Sequence, residues 1–176
     1  MTGIWTFRKA ERNDLPALLA LVNSAYRGEV SRLGWTTEAD LISGDQRTDL
    51  PSLEVVFDQE GSVFFIAEDS GGKLLACVNL QQRKHDLYLG MLSVHPELQN
   101  RGLGKQMLQM AENHARNVGC SRIIMTVISL RVELIAWYKR HGYADTGVRL
   151  PFVEDGVSGK HLRLMEFMEL ARPIDI

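Results

Sequence analysis

The chain has 176 residues, 45% hydrophobic and 24% charged, which excludes a disordered, collagen-like or disulfide-dense protein. That length suits one domain with its own hydrophobic core, expected to span residues 1–176. Twenty basic and 22 acidic residues leave a net charge of −2, which argues against a bulk nucleic-acid or membrane binder.

The charge is unevenly spread. Thr37 to Gly72 holds nine acidic residues against one basic, Arg47, whereas Gln99 to Arg140 holds seven basic against two acidic. No run approaches the roughly 18 apolar residues of a membrane span. Met1 to Arg8 carries no signal-peptide core, so a cytoplasmic protein is expected. Cys77 and Cys120 belong to no Cys-x-x-Cys pattern and are expected to be buried, unreactive thiols. The five histidines show no metal-ligand spacing, so no metal is expected.

In chain order, Ile4 to Ala10 alternates as a first strand. Asp14-Leu15-Pro16 opens a helix whose apolar face is Leu15, Leu18, Leu19, Val22 and Ala25 or Tyr26, with Gly28 as its stop. Thr37 to Asp40 has a capping-box-like spacing ahead of a short helix ending at Gly44. Asp49-Leu50-Pro51 opens another, to about Asp58. Val63–Ala67 and Leu74–Gln81 flank a hairpin turn at Ser70–Lys73, and Asp86–Val94 is a further strand. A helix from Leu103 to Asn117 is followed by the buried-type strand Arg122–Ile128 and a helix from Val132 to Arg140. Strands Tyr143–Arg149 and His161–Leu170, joined by the turn-rich loop Pro151–Gly159, complete an α/β chain. One mixed sheet with helices on both faces is the economical arrangement.

The densest chemical signal is Leu92-Ser93-Val94-His-Pro-Glu-Leu-Gln99-Asn100-Arg101-Gly102-Leu103-Gly104-Lys105. A strand runs into a turn, and the turn opens a helix at two glycines. Glycine lets backbone approach a ligand closely, and the first amides of a helix point outward without internal acceptors. Together they suit a phosphate or pyrophosphate. A P-loop would need glycine where Gln99 stands, and a Rossmann fingerprint would need one at Met107.

Gln99-Asn-Arg-Gly-Leu-Gly104, preceded by Leu92-Ser-Val-His-Pro96, resembles the acyl-CoA pyrophosphate-binding motif of the GNAT superfamily of N-acyltransferases. Trp137-Tyr138-Lys-Arg-His-Gly142-Tyr143 is similar to a second family signature, and Phe7–Ala10 with Asp14 to the family's opening strand and helix. The resemblance runs over about residues 4 to 170 and implies a single domain with a mixed, mostly antiparallel sheet of about seven strands. It also implies acetyl-CoA as co-substrate. The backbone of Leu92, Ser93 and Val94, on a strand that splays from its neighbour, would bind acyl carbonyl and pantetheine. The amides of Gln99 and of Arg101 to Lys105 would bind pyrophosphate, with Asn100 in the same loop.

Acyl transfer from a thioester develops an oxyanion, which backbone amides can stabilise, and a thiolate, whose departure an acid assists. The resemblance assigns that acid to Tyr138. Many relatives carry asparagine seven residues earlier; here Arg131 stands there, either meeting a CoA phosphate or exposed. The general base is open among Tyr88, Glu29 and a water chain, with Asp86 at the far end of its strand. The acidic segment falls where the family builds its acceptor site, so a small cationic amine is the expected acceptor, lined by Tyr26, Trp35 and Glu38. For Tyr26 and Trp35, helix packing is the alternative. Protein lysine or N-terminal acetylation and a non-catalytic acyl-CoA sensor are the competing functions. A homodimer through the late strands and the 151–159 loop also stays open.

Overall fold

Strand β1 (Thr6–Lys9) leads through a single 3-10 turn into helix α1 (Leu15–Tyr26), where Pro16 sits in the first turn. The computed structural model describes residues 4–175, so the reading of Met1–Gly3 lies outside the described residues. Helices α2 (Gly28–Ser31) and α3 (Leu50–Asp58) follow, then strands β2 (Ser62–Glu68), β3 (Leu74–Arg83) and β4 (Asp86–Val94). Helix α4 (Leu103–Asn117), strand β5 (Arg122–Ile128), helix α5 (Val132–Arg140) and strands β6 (Ala144–Pro151) and β7 (Glu166–Pro173) complete the described chain.

The seven strands form one sheet in the order β1-β2-β3-β4-β5-β7-β6, and only β4 and β5 run parallel. Strand alternation divides the core. Phe64 and Ile66 face α1 and α3, in a cluster with Leu18, Val22 and Leu53. Phe65 and Ala67 face the other way, with Met107 and Ala111 of α4 and Leu134 and Tyr138 of α5. The expected mixed sheet with helices on both faces is what forms. Both cysteines are buried free thiols, and burial pushes the Cys77 thiol up to about 12. Among the described residues no helix is long and apolar enough to cross a membrane.

The first helix ends at Tyr26, just before its expected stop at Gly28, which takes φ +72° and opens the one-turn α2. Two local expectations need correction. The helix expected from Thr37 to Gly44 does not form. The Thr37 hydroxyl accepts from the Ala39 amide at 3.1 Å, a local turn, and the helical pattern ends after Leu41 and Ile42 donate to the Glu38 carbonyl. Ser43 and Leu41 then exchange backbone bonds with Lys160 and Leu162, so pairing with a distant loop overrides the cap signal. For the same reason β7 starts at Glu166 and not His161, because His161 bridges Ile42.

Arg8 ties the first strand to both its neighbours. It donates to Asp14 at 2.7 and 2.9 Å and to Glu68 at 3.2 and 3.1 Å, while Asp14 also accepts from the Glu11 amide at 2.7 Å. The Arg8 guanidinium holds the Asp14 carboxyl below its ordinary range. Asp14→Ala is expected to lower stability by about 1 kcal/mol at neutral pH, the usual loss for a capping carboxylate. A depressed pKa contributes stability above the unfolded-state value of about 4. In urea titrations the gap from wild type should therefore be full at pH 7 and shrink as pH falls through the folded-state pKa.

Candidate active site

Strands β4 and β5 pair only from Asp86↔Arg122 to Tyr88↔Ile124 and then part. A bulge drives the parting: Cys77↔Ser93 is followed by Asn79↔Gly90, so β4 carries an extra residue at a point where Met91 takes φ +51°. The freed carbonyls find side chains. The Met91 carbonyl accepts from the Ser93 hydroxyl at 3.0 Å and the Cys77 thiol at 3.6 Å, and Tyr26 donates to the Leu92 carbonyl. The opening holds two cavities that share a wall of Tyr26, Leu92, Leu134 and Tyr138.

The first cavity runs from Leu92 and Val94 to Gln99, Asn100, Gly102, Gly104 and Lys105 at the start of α4. Asn100 and Gly102 take φ of +64° and +83°, and alternating hand of this kind turns successive amides into one concavity. Gly104 lies against Trp137, where an added Cβ would stand 3.3 Å from the indole. Arg101 and Lys105 are exposed beside the loop. Leu103 buries its side chain in the core, and Ser93 is buried and bonded to Met91, so any role these two have toward a ligand is through backbone. The Gln99 side chain is a brace: it accepts from the Trp35 amide at 2.7 Å and donates to the Thr36 hydroxyl at 2.8 Å and the Val94 carbonyl at 3.1 Å. Gly34 permits this, since a Cβ there would collide with the Gln99 amide.

Tyr138 is 4% exposed and packs edge-on to Trp137 and Tyr143. Its hydroxyl makes no hydrogen bond to the described residues, although both cavities reach its side chain. Burial holds its pKa well above the ordinary phenol value, so it stays protonated.

The second cavity, about 270 Å³, lies between the diverged halves of β4 and β5 and under the 152–158 loop. Its charged lining is three arginines, Arg27, Arg47 and Arg131, and two acids, Glu38 and Asp155. Glu38 is fully engaged: one oxygen accepts from Arg27, the other from Arg131 at 2.9 Å. Asp155 accepts from the Val157 and Ser158 amides at 2.8 and 2.7 Å and from the Ser158 hydroxyl at 2.9 Å.

Several expected placements change. Arg131 is neither exposed nor beside the glycine loop; its side chain, 8% exposed, is bound to Glu38 and to the Thr36 carbonyl. Trp35 lines the first cavity and not the second, edge-on to Trp137 with ring centroids 6.1 Å apart. Tyr26 lines both. The acidic segment does not surround the acceptor side. Asp40 pairs with Arg32 and Asp58 with Arg12 on the surface, Glu68 pairs with Arg8, and Asp49 caps α3. Of the base candidates, Glu29 is 91% exposed, Asp86 is tied to Arg122 at 2.7 Å, and only Tyr88 faces the second cavity, its hydroxyl 3.0 Å from that of Thr126. Arg27 and Arg47 carried no motif; the one available signal was Arg47's isolation among acids.

A family model described as "Acetyltransferase (GNAT) family" matches residues 20–143. The chain belongs to that family. An amino-acid acetyltransferase of Pseudomonas putida (strain KT2440) is 31% identical over 99 residues, which are 54% of this chain and 22% of that protein. The uncharacterized protein YdhI of Bacillus subtilis (strain 168) is 28% identical over 84 residues, which are 48% of this chain; the match spans about half, 51%, of that protein. Among solved structures, a putative phosphinothricin N-acetyltransferase aligns with TM-score 0.73 at 19% identity, covering 98% of this chain and 100% of that one. The ribosomal-protein-S18-alanine N-acetyltransferase from Escherichia coli aligns equally, with TM-score 0.73 at 16% identity, covering 98% and 96%. At such identity these likenesses speak for the GNAT fold.

Gln99→Leu keeps the volume but removes three hydrogen bonds that hold the glycine loop. Acetyl-CoA binding by calorimetry is expected to weaken roughly tenfold or more, about 1–2 kcal/mol, with the fold retained by circular dichroism.

Proposed function

We propose that the protein transfers the acetyl group of acetyl-CoA to the amine of a small-molecule acceptor, by direct attack within a ternary complex. The observation that carries this reading is the pair of cavities meeting at the freed edge of β4, with Tyr138 in their common wall. The residues of the first cavity fit acetyl-CoA. The loop amides and the start of α4 suit the pyrophosphate, Arg101 and Lys105 add positive charge, and the apolar wall of Leu92, Val94 and Leu134 suits pantetheine. Acetyl-CoA would supply an activated thioester. A small amine as acceptor is supported by the size of the second cavity, about 270 Å³, and by the name of the Pseudomonas putida relative, which specifies amino acids.

Tyr138 then donates a hydrogen bond to the departing sulfur. A thiol titrates near 8.5 and a phenol near 10, and burial raises this phenol further. Full proton transfer from Tyr138 to a thiolate is therefore uphill, and its contribution is stabilisation of developing charge. In the second cavity Glu38 is held by two arginines and Asp155 accepts three hydrogen bonds on one oxygen, so neither is poised as a general base. The acceptor therefore reacts from its neutral amine form, with the proton leaving through water or past Tyr88.

A thiol-release assay with acetyl-CoA and a panel of small amines tests the reading; no CoA release with any amine, despite acetyl-CoA binding, would overturn it. Tyr138→Phe is expected to lower kcat by roughly 10²-fold and leave acetyl-CoA affinity nearly unchanged; unchanged turnover would remove Tyr138 from the chemistry. The kcat/KM profile should rise about tenfold per pH unit below the acceptor's own amine pKa, with no phenol-dependent fall up to pH 10. A plateau that stays at one pH across acceptors of different basicity would indicate an enzyme base instead, and Tyr88→Phe would identify it.

A further inference from the structure

Arg47 is the cavity arginine that has no carboxylate. Arg27 and Arg131 share Glu38 and bond the Ser158 and Thr36 carbonyls, whereas among the described residues no acid pairs with Arg47. Its position is nonetheless built. Asn23 of α1 accepts from the amides of Arg47 and Thr48 at 2.7 and 3.1 Å and donates to the Thr48 carbonyl at 3.1 Å. The guanidinium lies over the Tyr26 ring, 4.2 Å from its centroid, and Nη1 is shielded from solvent with no hydrogen-bond partner. Buried donors almost always have a partner, and a buried cation without a counter-charge is costlier still. The ring offsets part of that cost but accepts none of the in-plane N–H bonds.

We propose that Arg47 receives an oxyanion, a carboxylate or a related oxyacid group, carried by the acceptor within a few bonds of its amine. A planar guanidinium with an open donor edge matches such a group bidentately. The anion is not a phosphate of CoA, because Arg47 lines the second cavity and not the first. The placement also suits the chemistry. Tyr26 presents its ring to Arg47 and its hydroxyl to the Leu92 carbonyl, so an anion on Arg47 stands close to the freed strand edge. An amine close to that anion reaches the edge; one at the end of a long chain overshoots it. The acceptor class is therefore a compact amine bearing an oxyanion, not the cationic amine suggested by the acidic segment. This inference rests on the acetyl-transfer reading above.

The test uses matched sets: several α-amino acids, their aminophosphonate analogues, their carboxamides and their decarboxylated amines, with CoA release compared at equal free-amine concentration. At least one oxyanion-bearing set is expected to exceed its neutral counterparts by roughly 10- to 100-fold in kcat/KM. The phosphonate arm separates carboxylate recognition from recognition of any oxyanion. Arg47→Gln should erase that preference mainly through KM, and Arg47→Lys, which keeps the charge and loses the fork, should retain part of it. Thermal melting and acetyl-CoA affinity of both variants report folding independently. Equal or better turnover of the neutral amines, or a preference that survives Arg47→Gln, overturns the inference and leaves acetyl transfer standing. No CoA release from any member overturns both.

Discussion

Parallel strands β4 and β5 share bonds over three residue pairs and then diverge, and every functional feature of the molecule is arranged around that opening. Sheet backbone cannot be left unpaired inside a protein without a substitute partner. Here the substitutes are side chains: Tyr26 from the end of α1 on the Leu92 carbonyl, and Cys77 of β3 and Ser93 of β4 itself on the Met91 carbonyl. The bulge at Met91 supplies the geometry, because one extra residue on β4 bends it away from β5 while its pairing with β3 continues. The result is a strand edge that stays ordered with an open space beside it. The two cavities then share one wall instead of competing for one volume.

The opening is roofed by a segment with little regular structure, and its rigidity comes from charge. Glu38 joins three parts of the chain: its own loop, Arg27 just after α1 and Arg131 just before α5. All three side chains are under a tenth exposed. Such a buried cluster is weak support for stability, because desolvation offsets much of the attraction. Its value is positional. Removing Glu38 leaves both arginines buried without that counter-charge, so the three segments are held to one arrangement. The loop is also stitched to residues 160–162 by backbone bonds and by the Ile42–His161 bridge.

What could be read from sequence follows from how local its cause is. The glycine loop was legible because tight turns into helices need glycine, and both φ +83° at Gly102 and the Trp137 contact at Gly104 use that property. Tyr138 was legible through the resemblance of Trp137–Tyr143 to a family signature, and its burial follows from sharing one helix face with Leu134 and Ile135. The single mixed sheet with helices on both faces followed from strand alternation and chain order, whereas the strand order, with β7 between β5 and β6, did not. The 37–44 segment was misread because its cap signal competes with a pairing partner about 120 residues away in the chain, which no local spacing encodes. Arg131 was misplaced for the same reason. Its helix start was correctly located, but the side chain turns toward Glu38, 93 positions earlier.

The charge count shows the limit most sharply. Nine acids and one base between Thr37 and Gly72 suggest a negative pocket, yet the charged residues that line the second cavity from that segment are Glu38 and Arg47. The others cap a helix, shape turns or pair at the surface, where solvent screens them. A cavity feels the charges that line it and the degree to which each is already neutralised, not the sum along the chain. On that basis Glu38 contributes little free negative potential, since two guanidiniums hold it. Asp155 is turned to its own loop. Among the described residues Arg47 has no paired acid, so the segment with the largest negative sum contributes a positive group to the cavity.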